Sequence, residues 1–300
     1  MNGILALWKE KGMTSHDCVF KLRKILKTKK VGHTGTLDPQ VDGVLPICIG
    51  SATKMVEFMM NSDKEYYGEV TLGFSTTTED ATGDVVASAH IETVPSADEI
   101  DAIMESMTGT ITQVPPMYSA VKVNGKKLYE YARANQTVER PERIVTIHQF
   151  KRVSDVVVHE NGTVSWQFVV RCSKGTYVRT LAVDLGEKLG FPAHMSQLTR
   201  TLSAGFQKEH TVTLQALERM TDSQKASILK PIEEAFVDYP RVTIDDTLWE
   251  KIKNGAVVEA FTPHDKVFVV YDTKIVALYE QHPYKKGMMK PKKMLLGNVE

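Results

Sequence analysis

The stretch GHTGTLDPQVDGVLP, residues 32–46, combines a histidine, two aspartates and several turn-forming residues. Asp38 stands beside Pro39, and His33 is flanked by Gly32 and Gly35. A chain concentrates glycine and proline in this way for a turn, for a close backbone approach, or for chemistry. An ionised carboxylate in a shaped loop can act as a base or a nucleophile. Elsewhere Arg179 in SKGTYVRT opens a predicted helix, Tyr66 and Tyr67 open a predicted strand, and Leu198 lies in SQLTR. An ordinary structural role is open for each: a surface Asp-Pro turn, an exposed loop histidine, a surface arginine, core tyrosines and a core leucine.

Several familiar chemistries are missing from the sequence. There is no GxxxxGK[ST] phosphate loop, and GHTGT is not the GxGxxG of a dinucleotide site. HExxH, paired Cys/His spacings and GxSxG are also absent. What remains is an enzyme that needs no cofactor, or a binding module.

The elements that must carry these residues are partly legible. GILALWKE (3–10) has strand composition, and Ser15 can cap a helix with Cys18, Leu22, Ile25 and Leu26 on its apolar face. SATKMVEFMM (51–60) predicts a helix, EYYGEVTLGF (65–74) a strand, and SADEIDAIMESM (96–107) a capped helix. PPMYSAVKVNGKKLYEYAR (115–133) predicts a short strand, an Asn-Gly turn and a helix. In SDVVVHENGTVSWQFVVRCS (154–173), Asn161-Gly162 predicts a two-residue hairpin turn. GTYVRTLAVDLGEKLG (175–190) aligns Val178, Leu181, Leu185 and Leu189 on one helical stripe. Strands and helices mix without regular βα alternation, which predicts an α+β fold. Short β-rich runs after Tyr239-Pro240 predict a small β domain.

The formal net charge is zero, but the charge is segregated. KLRKILKTKK (21–30) and YKKGMMKPKK (284–293) are basic, whereas Glu79 to Glu105 contains acids and no Lys or Arg. A basic face on a neutral protein is a usual footprint for nucleic acid, although lysine-rich surface helices are common without one. Cys18, Cys48 and Cys172 lie far apart, which argues for a reducing compartment rather than a disulfide framework. The N-terminus lacks the apolar run of a signal peptide, and no segment has the length of a membrane span. The expected location is the cytoplasm.

Four segments, GHTGTLDPQVDGVLPICIGSATK (32–54), KEYYGEVTLG (64–73), PPMYSAVKVNGKKLYEYAR (115–133) and VRCSKGTYVRTLAVDLG (170–186), resemble in order the motif series of the TruB family of pseudouridine synthases. They extend over most of residues 1–200. Residues 240–300 resemble, less closely, the small RNA-binding domain called PUA. The resemblance implies a catalytic domain at 1–239 with a mixed, largely antiparallel sheet flanked by helices. It also implies a β-rich PUA-like domain at 240–300 and an RNA-gripping insertion around 124–145.

The implied reaction isomerises uridine 55 in the T loop of tRNA to pseudouridine, with no metal, nucleotide or redox cofactor. Asp38 matches the family's nucleophile, and Arg179 the arginine that pairs with it. Tyr66 matches the tyrosine that stacks on the target base, and is also the candidate for moving the carbon 5 proton. Tyr177 and Leu198 match substrate-contacting positions, and His33 matches the residue that enters the RNA loop as the base flips out. Lys24, Lys27, Lys29 and Lys30, in a basic helix expected over 21–30 just before the loop, are with the C-terminal lysines the expected phosphate contacts. The partner expected is the T stem-loop of tRNA, bound by a monomer that needs no guide RNA. Two rivals stay open: a guide-dependent, dyskerin-like pseudouridylase, and an RNA-binding or tRNA-folding module whose catalysis is incidental.

Overall fold

The computed structural model describes residues 1–236 and 239–295, so the last five positions of the C-terminal segment lie outside the described residues. The chain forms two compact units, Met1–Asn61 with Ser203–Glu300, and Ser62–Leu202. Among the described residues, no helix is long and apolar enough to cross a membrane.

The first unit is organised by the strand Asp42–Ile49. It pairs antiparallel with Gly3–Lys9, placing Gly3 opposite Ile49 and Lys9 opposite Gly43. The short strand Val31–His33 also runs antiparallel to it, with His33 opposite Ile47. Asp42–Ile49 is buried at every position after Asp42, which explains why its sequence is a continuous apolar run rather than an alternation. The helix Ser15–Ile25 lays Cys18, Val19 and Leu22 on Leu5, Leu7, Leu45 and Ile47.

Two expectations for this helix need correction. Its cap is Thr14, not Ser15: the Asp17 N–H donates to Thr14 Oγ1 at 3.0 Å and the Thr14 N–H to Asp17 Oδ2 at 2.8 Å. The helix also stops at Ile25, so KLRKILKTKK is helical only in its first half. Lys27 takes a left-handed conformation with φ 51° and ends it, while Lys29 and Lys30 lie beyond.

The β-rich runs near the C-terminus form one five-stranded sheet, in the order Arg241–Thr243, Lys266–Tyr271, Lys274–Gln281, Met288–Met294, Val258–Glu259. The first pair is parallel and the others are antiparallel. One set of its apolar residues, including Val267, Val269, Val276, Tyr279 and Met289, forms a core of its own with Ile252. Phe268, Ile275 and Leu278 instead join Ile4, Val44, Cys48 and Met55. The basic run 284–293, legible in sequence only as a charge cluster, supplies much of the strand Met288–Met294. Lys290 and Lys292 there pair with Glu280 at 3.4 Å each.

The second unit is a sheet in the order Ala193–Ser203, Lys64–Leu72, Val164–Cys172, Arg143–Arg152, Gly109–Gln113. The helix Ala97–Ser106, capped by Ser96, packs on Arg143–Arg152 and on the helix Val178–Leu189. The strand Lys64–Leu72 turns Lys64, Tyr66, Gly68 and Val70 inward. Gly68 is required there, because a Cβ would lie 2.6 Å from Phe168 Cζ and 2.9 Å from Leu198 Cδ1.

The two Asn-Gly pairs expected to make turns behave differently. Asn124 and Gly125 both have positive φ, 51° and 83°, and make the tight hairpin turn expected of them. At Asn161-Gly162 only the glycine does. The Asn161 carboxamide oxygen instead accepts from the Thr163 N–H at 3.1 Å and hydroxyl at 2.8 Å, so the connection is longer than two residues.

Candidate active site

The residues expected to do chemistry fall in both units. His33 and Asp38 belong to the first; Tyr66, Tyr177, Arg179 and Leu198 belong to the second.

In the first unit, Asp38 opens a turn whose Val41 N–H returns to the Asp38 carbonyl at 3.0 Å, with Pro39 at the second position. Residues on both sides of Asp38 are anchored. Before it, the Leu37 N–H donates to Ser15 Oγ at 2.9 Å, and the Ser15 hydroxyl lies 3.3 Å from the Leu37 carbonyl. After it, Lys9, which is 0% exposed, donates to the carbonyls of Val41 at 2.6 Å and Pro39 at 3.2 Å. A third donation reaches Glu10 O at 3.1 Å, so every ammonium hydrogen has an acceptor. The Gly12 N–H adds a bond to Pro39 O at 2.8 Å. Upstream, buried Thr34 uses both its N–H and its hydroxyl on Pro46 O, each at 3.1 Å. The His33 ring accepts from the Gly35 N–H at 3.4 Å. Asp38 itself is half-buried.

The basic residues expected to meet phosphate lie nearby in sequence. Lys24 sits 4.5 Å over the Phe20 ring, and Lys27 reaches Asp222 at 3.3 Å on an exposed surface. Lys29 and Lys30 are exposed.

In the second unit, the sheet separates the two adjacent tyrosines. Tyr66 is buried, whereas Tyr67 is exposed and its hydroxyl bonds to the Gln167 side chain. Leu198 is buried on the neighbouring strand against Gly68. Two residues on, Arg200 is 1% exposed and lies opposite Tyr66 on the adjacent strand, a register marked by the Thr201 hydroxyl donating to Glu65 Oε1 at 2.9 Å and by Leu198 lying against Gly68. Burial pushes Arg200 below the usual guanidinium range, while Tyr66 opposes that shift. Lys64 is buried on the inward face that also carries Tyr66. Its ammonium is pushed down to about 8, first by burial and then by Arg200.

Arg179 lies in the first turn of the helix Val178–Leu189 and is buried. Its Nη1 donates to Thr78 O at 2.9 Å and its Nη2 to Tyr118 O at 3.1 Å, bridging two loops. Beside Thr78, Glu79 takes a left-handed conformation with φ 63° and accepts from the Thr180 hydroxyl at 2.7 Å. Burial raises the Glu79 carboxyl, against the lowering effects of Thr180 and Arg179. Asp80 accepts from the Thr78 hydroxyl at 2.7 Å and the Thr82 N–H at 2.9 Å, shaping the same loop. Tyr177 caps the helix. Its backbone exchanges two bonds with the buried Gln113 amide, at 3.0 and 3.2 Å, and its ring lies 5.5 Å from the Arg143 guanidinium.

Lys9 in the first unit, and Arg200, Gln113 and the Glu79-Asp80 pair in the second, are residues beside the expected ones that the sequence pattern did not single out. Lys9 had one available signal, a charge at the end of a strand that is otherwise apolar. Arg200 had another, because it shares a strand face with Leu198 at a spacing of two.

The chain matches the family model of the N-terminal domain of TruB family pseudouridylate synthases over residues 23–178. The class so defined is pseudouridine synthase. A second model, the C-terminal domain of tRNA pseudouridylate synthase B, matches residues 179–237, and the chain belongs to the TruB family. It is 54% identical to a protein of Bacillus cytotoxicus named tRNA pseudouridine synthase B, over 100% of this chain and 99% of that one. Identity to the protein of the same name in Bacillus anthracis is 53%, with the same coverage. Among solved structures it resembles a Cbf5-Nop10-Gar1 complex chain with a TM-score of 0.70 and 29% identity, over 98% of this chain and 84% of that chain. The expected α+β pseudouridine-synthase fold is therefore the observed one.

Proposed function

We propose that this chain converts uridine 55 in the T stem-loop of tRNA to pseudouridine. It acts as a cytoplasmic monomer without a guide RNA. The observation that carries this reading is the Asp38 turn, anchored on one side by Ser15 and on the other by buried Lys9, in a chain of this family. Fixing a half-buried carboxylate on its backbone is what a nucleophile needs if it is not to reorganise during the reaction. The full-length match to relatives named tRNA pseudouridine synthase B supports the stand-alone enzyme over the guide-dependent one.

In the reaction, the bond between nitrogen 1 and the ribose breaks, the uracil turns, and carbon 5 is joined to the ribose in its place. Carbon 5 then loses its proton, and nitrogen 1 gains one, so the isomerisation balances without a co-reactant. Asp38 is the nucleophile and Arg179 the cation that supports its charge. Tyr66 stacks on the base and takes the carbon 5 proton, with Tyr177 and Leu198 as further walls. His33 occupies the space that the flipped nucleotide leaves in the RNA. Lys24, Lys27, Lys29 and Lys30 contact phosphates, the insertion around 124–145 grips the RNA, and residues 240–300 act as a PUA-like RNA-binding domain.

The test is purified protein on an unmodified tRNA transcript, with pseudouridine mapped by position. Modification at 55 by wild type and none by Asp38→Asn is the expected result. Activity that appears only with an added guide RNA would replace this reading with the dyskerin-like one. A wild type inert with and without guide, yet binding tRNA, would favour the folding-module reading.

A further inference from the structure

We propose that Arg200 is a positioning residue for the proton transfer: it fixes the Tyr66 hydroxyl and stabilises its phenolate. This rests on the reading of Tyr66 as the proton acceptor and adds the group that makes such a role feasible.

A phenol is a poor base at neutral pH, because its ordinary pKa is near 10 and the neutral form predominates. An acceptor for the carbon 5 proton must first be a phenolate. The proton then passes from carbon 5 to the phenolate oxygen, and the electron pair of the C–H bond returns to the ring. The resulting phenol releases the proton to water before the next turnover. The cost of the phenolate therefore enters the rate directly.

The surroundings of Tyr66 are arranged to lower that cost. Arg200 faces Tyr66 from the neighbouring strand, and because a guanidinium can only donate hydrogen bonds, the Tyr66 oxygen is the acceptor in the bond proposed between them. A charge-assisted bond of this kind strengthens as the oxygen becomes negative. Both groups are almost wholly buried, where solvent screens the attraction little. The strand pairing sets the geometry: Arg200 lies on Ala193–Ser203, next to the strand that carries Tyr66, and two places from Leu198. Other charged or titratable groups are also near. Lys64 shares the inward face of the Tyr66 strand; Asp63, Cys172 and Lys174 act on Lys64 from the adjoining segments. Lys64 titrates near 8, so activity against pH alone would mix two groups, and the phenol must be observed directly.

The experiment is ¹³C NMR of the folded protein labelled at tyrosine Cζ, titrated with pH. The Tyr66 signal is assigned by its loss in Tyr66→Phe, and single-turnover rates and tRNA affinity are measured alongside. In wild type, Tyr66 is expected to titrate at least one unit below the exposed tyrosines. Arg200→Met is expected to raise that midpoint by one unit or more and to lower the saturated rate tenfold or more at pH 7, with affinity within threefold. Arg200→Lys, which keeps the charge but not the fork, is expected to fall between. If Arg200→Met does not fold, the wild-type midpoint and Arg200→Lys decide the matter. A wild-type Tyr66 midpoint at or above those of the exposed tyrosines overturns the proposal. So does a rate loss in Arg200→Met or Arg200→Lys with the midpoint unmoved, which would make Arg200 a purely structural residue. Failure of the underlying reading looks different: Tyr66→Phe would then turn over at the wild-type rate whatever the midpoint.

Discussion

Replacing Lys9 with methionine removes the ammonium that holds the turn after Asp38 while keeping most of the side chain's volume. Three carbonyls lose a donor, but they do not lose it equally. The bonds to Pro39 O and Glu10 O are only part-buried, and Pro39 O keeps the Gly12 N–H at 2.8 Å. The bond to Val41 O is the buried one, and at 2.6 Å it is also the shortest. A buried acceptor left unsatisfied costs about 1–3 kcal/mol. The variant also escapes the penalty of burying a charge, which offsets part of the loss. A net weakening of the turn by about 2 kcal/mol is therefore expected. If the Asp38 geometry needs this turn closed, that weakening translates into roughly a 30-fold drop in the single-turnover rate at saturating enzyme, at about 1.4 kcal/mol per tenfold. Affinity for the tRNA should stay within a few-fold, because Lys9 is fully buried and phosphate contacts dominate such binding. Urea unfolding and single-turnover kinetics on one tRNA measure both quantities. A variant with wild-type rate and wild-type stability would refute the role of Lys9 as an anchor. A large loss of stability with an unchanged rate would show that Asp38 is positioned by Ser15 and the turn itself.

Three other outcomes are expected. Gly68→Ala should destabilise the fold by about 1–3 kcal/mol, because the added methyl meets Phe168 at 2.6 Å and the backbone oxygen of Gln197 at 2.9 Å; a urea midpoint unchanged from wild type would contradict the packing described. Burial, then Glu187 and Glu79, raises the Asp184 carboxyl to about 6, so the folded state prefers its protonated form and loses stability as pH rises from near 4 through 6. Asp184→Asn should therefore match wild type in urea stability below pH 4 and exceed it by about 1–3 kcal/mol at pH 8, the upper figure taking the rise to about 6 in full and the lower one allowing for solvent screening of a partly exposed carboxylate; a gap that does not widen with pH would exclude the effect. Neutralising Lys24, Lys27, Lys29 and Lys30 should flatten the salt dependence of tRNA binding by about 0.7–0.9 for each lysine that meets a phosphate, with Lys27 contributing least because it already pairs with Asp222; parallel salt lines would place all four outside the RNA interface.

The parts legible in the sequence share one property: each was written in local pattern. The apolar strand Gly3–Lys9, the helix Val178–Leu189 with its leucine stripe, and the Asn124-Gly125 turn follow from spacing and backbone preference alone. The loop holding Asp38 was visible through its glycines and prolines, and the motif order carried the family. The parts that were not legible are those decided by partners distant in sequence. Ser15 has the composition of a helix cap, and Thr14 is an equally good one; only the bond from Leu37, across the fold, draws Ser15 inward and leaves the capping to its neighbour. Lysines 27, 29 and 30 continue a basic run that could be helical, and the left-handed Lys27 ends the helix before them.

Buried cations were the hardest to foresee, because composition places lysine and arginine at the surface. Lys9, Lys64, Arg179 and Arg200 are all buried. Lys9 and Arg179 each tie together backbone carbonyls that no regular hydrogen-bond ladder would hold. A loop shaped by backbone alone would drift among turn conformations of similar energy. A buried ammonium or guanidinium loses so much by leaving its acceptors that it fixes their positions, and the loop between them is fixed in turn. The same cost that makes such residues rare in cores makes them suited to holding Asp38 and the Thr78 and Tyr118 loops in place, and it explains why their substitution should be read first in the geometry of the site and only second in the stability of the fold.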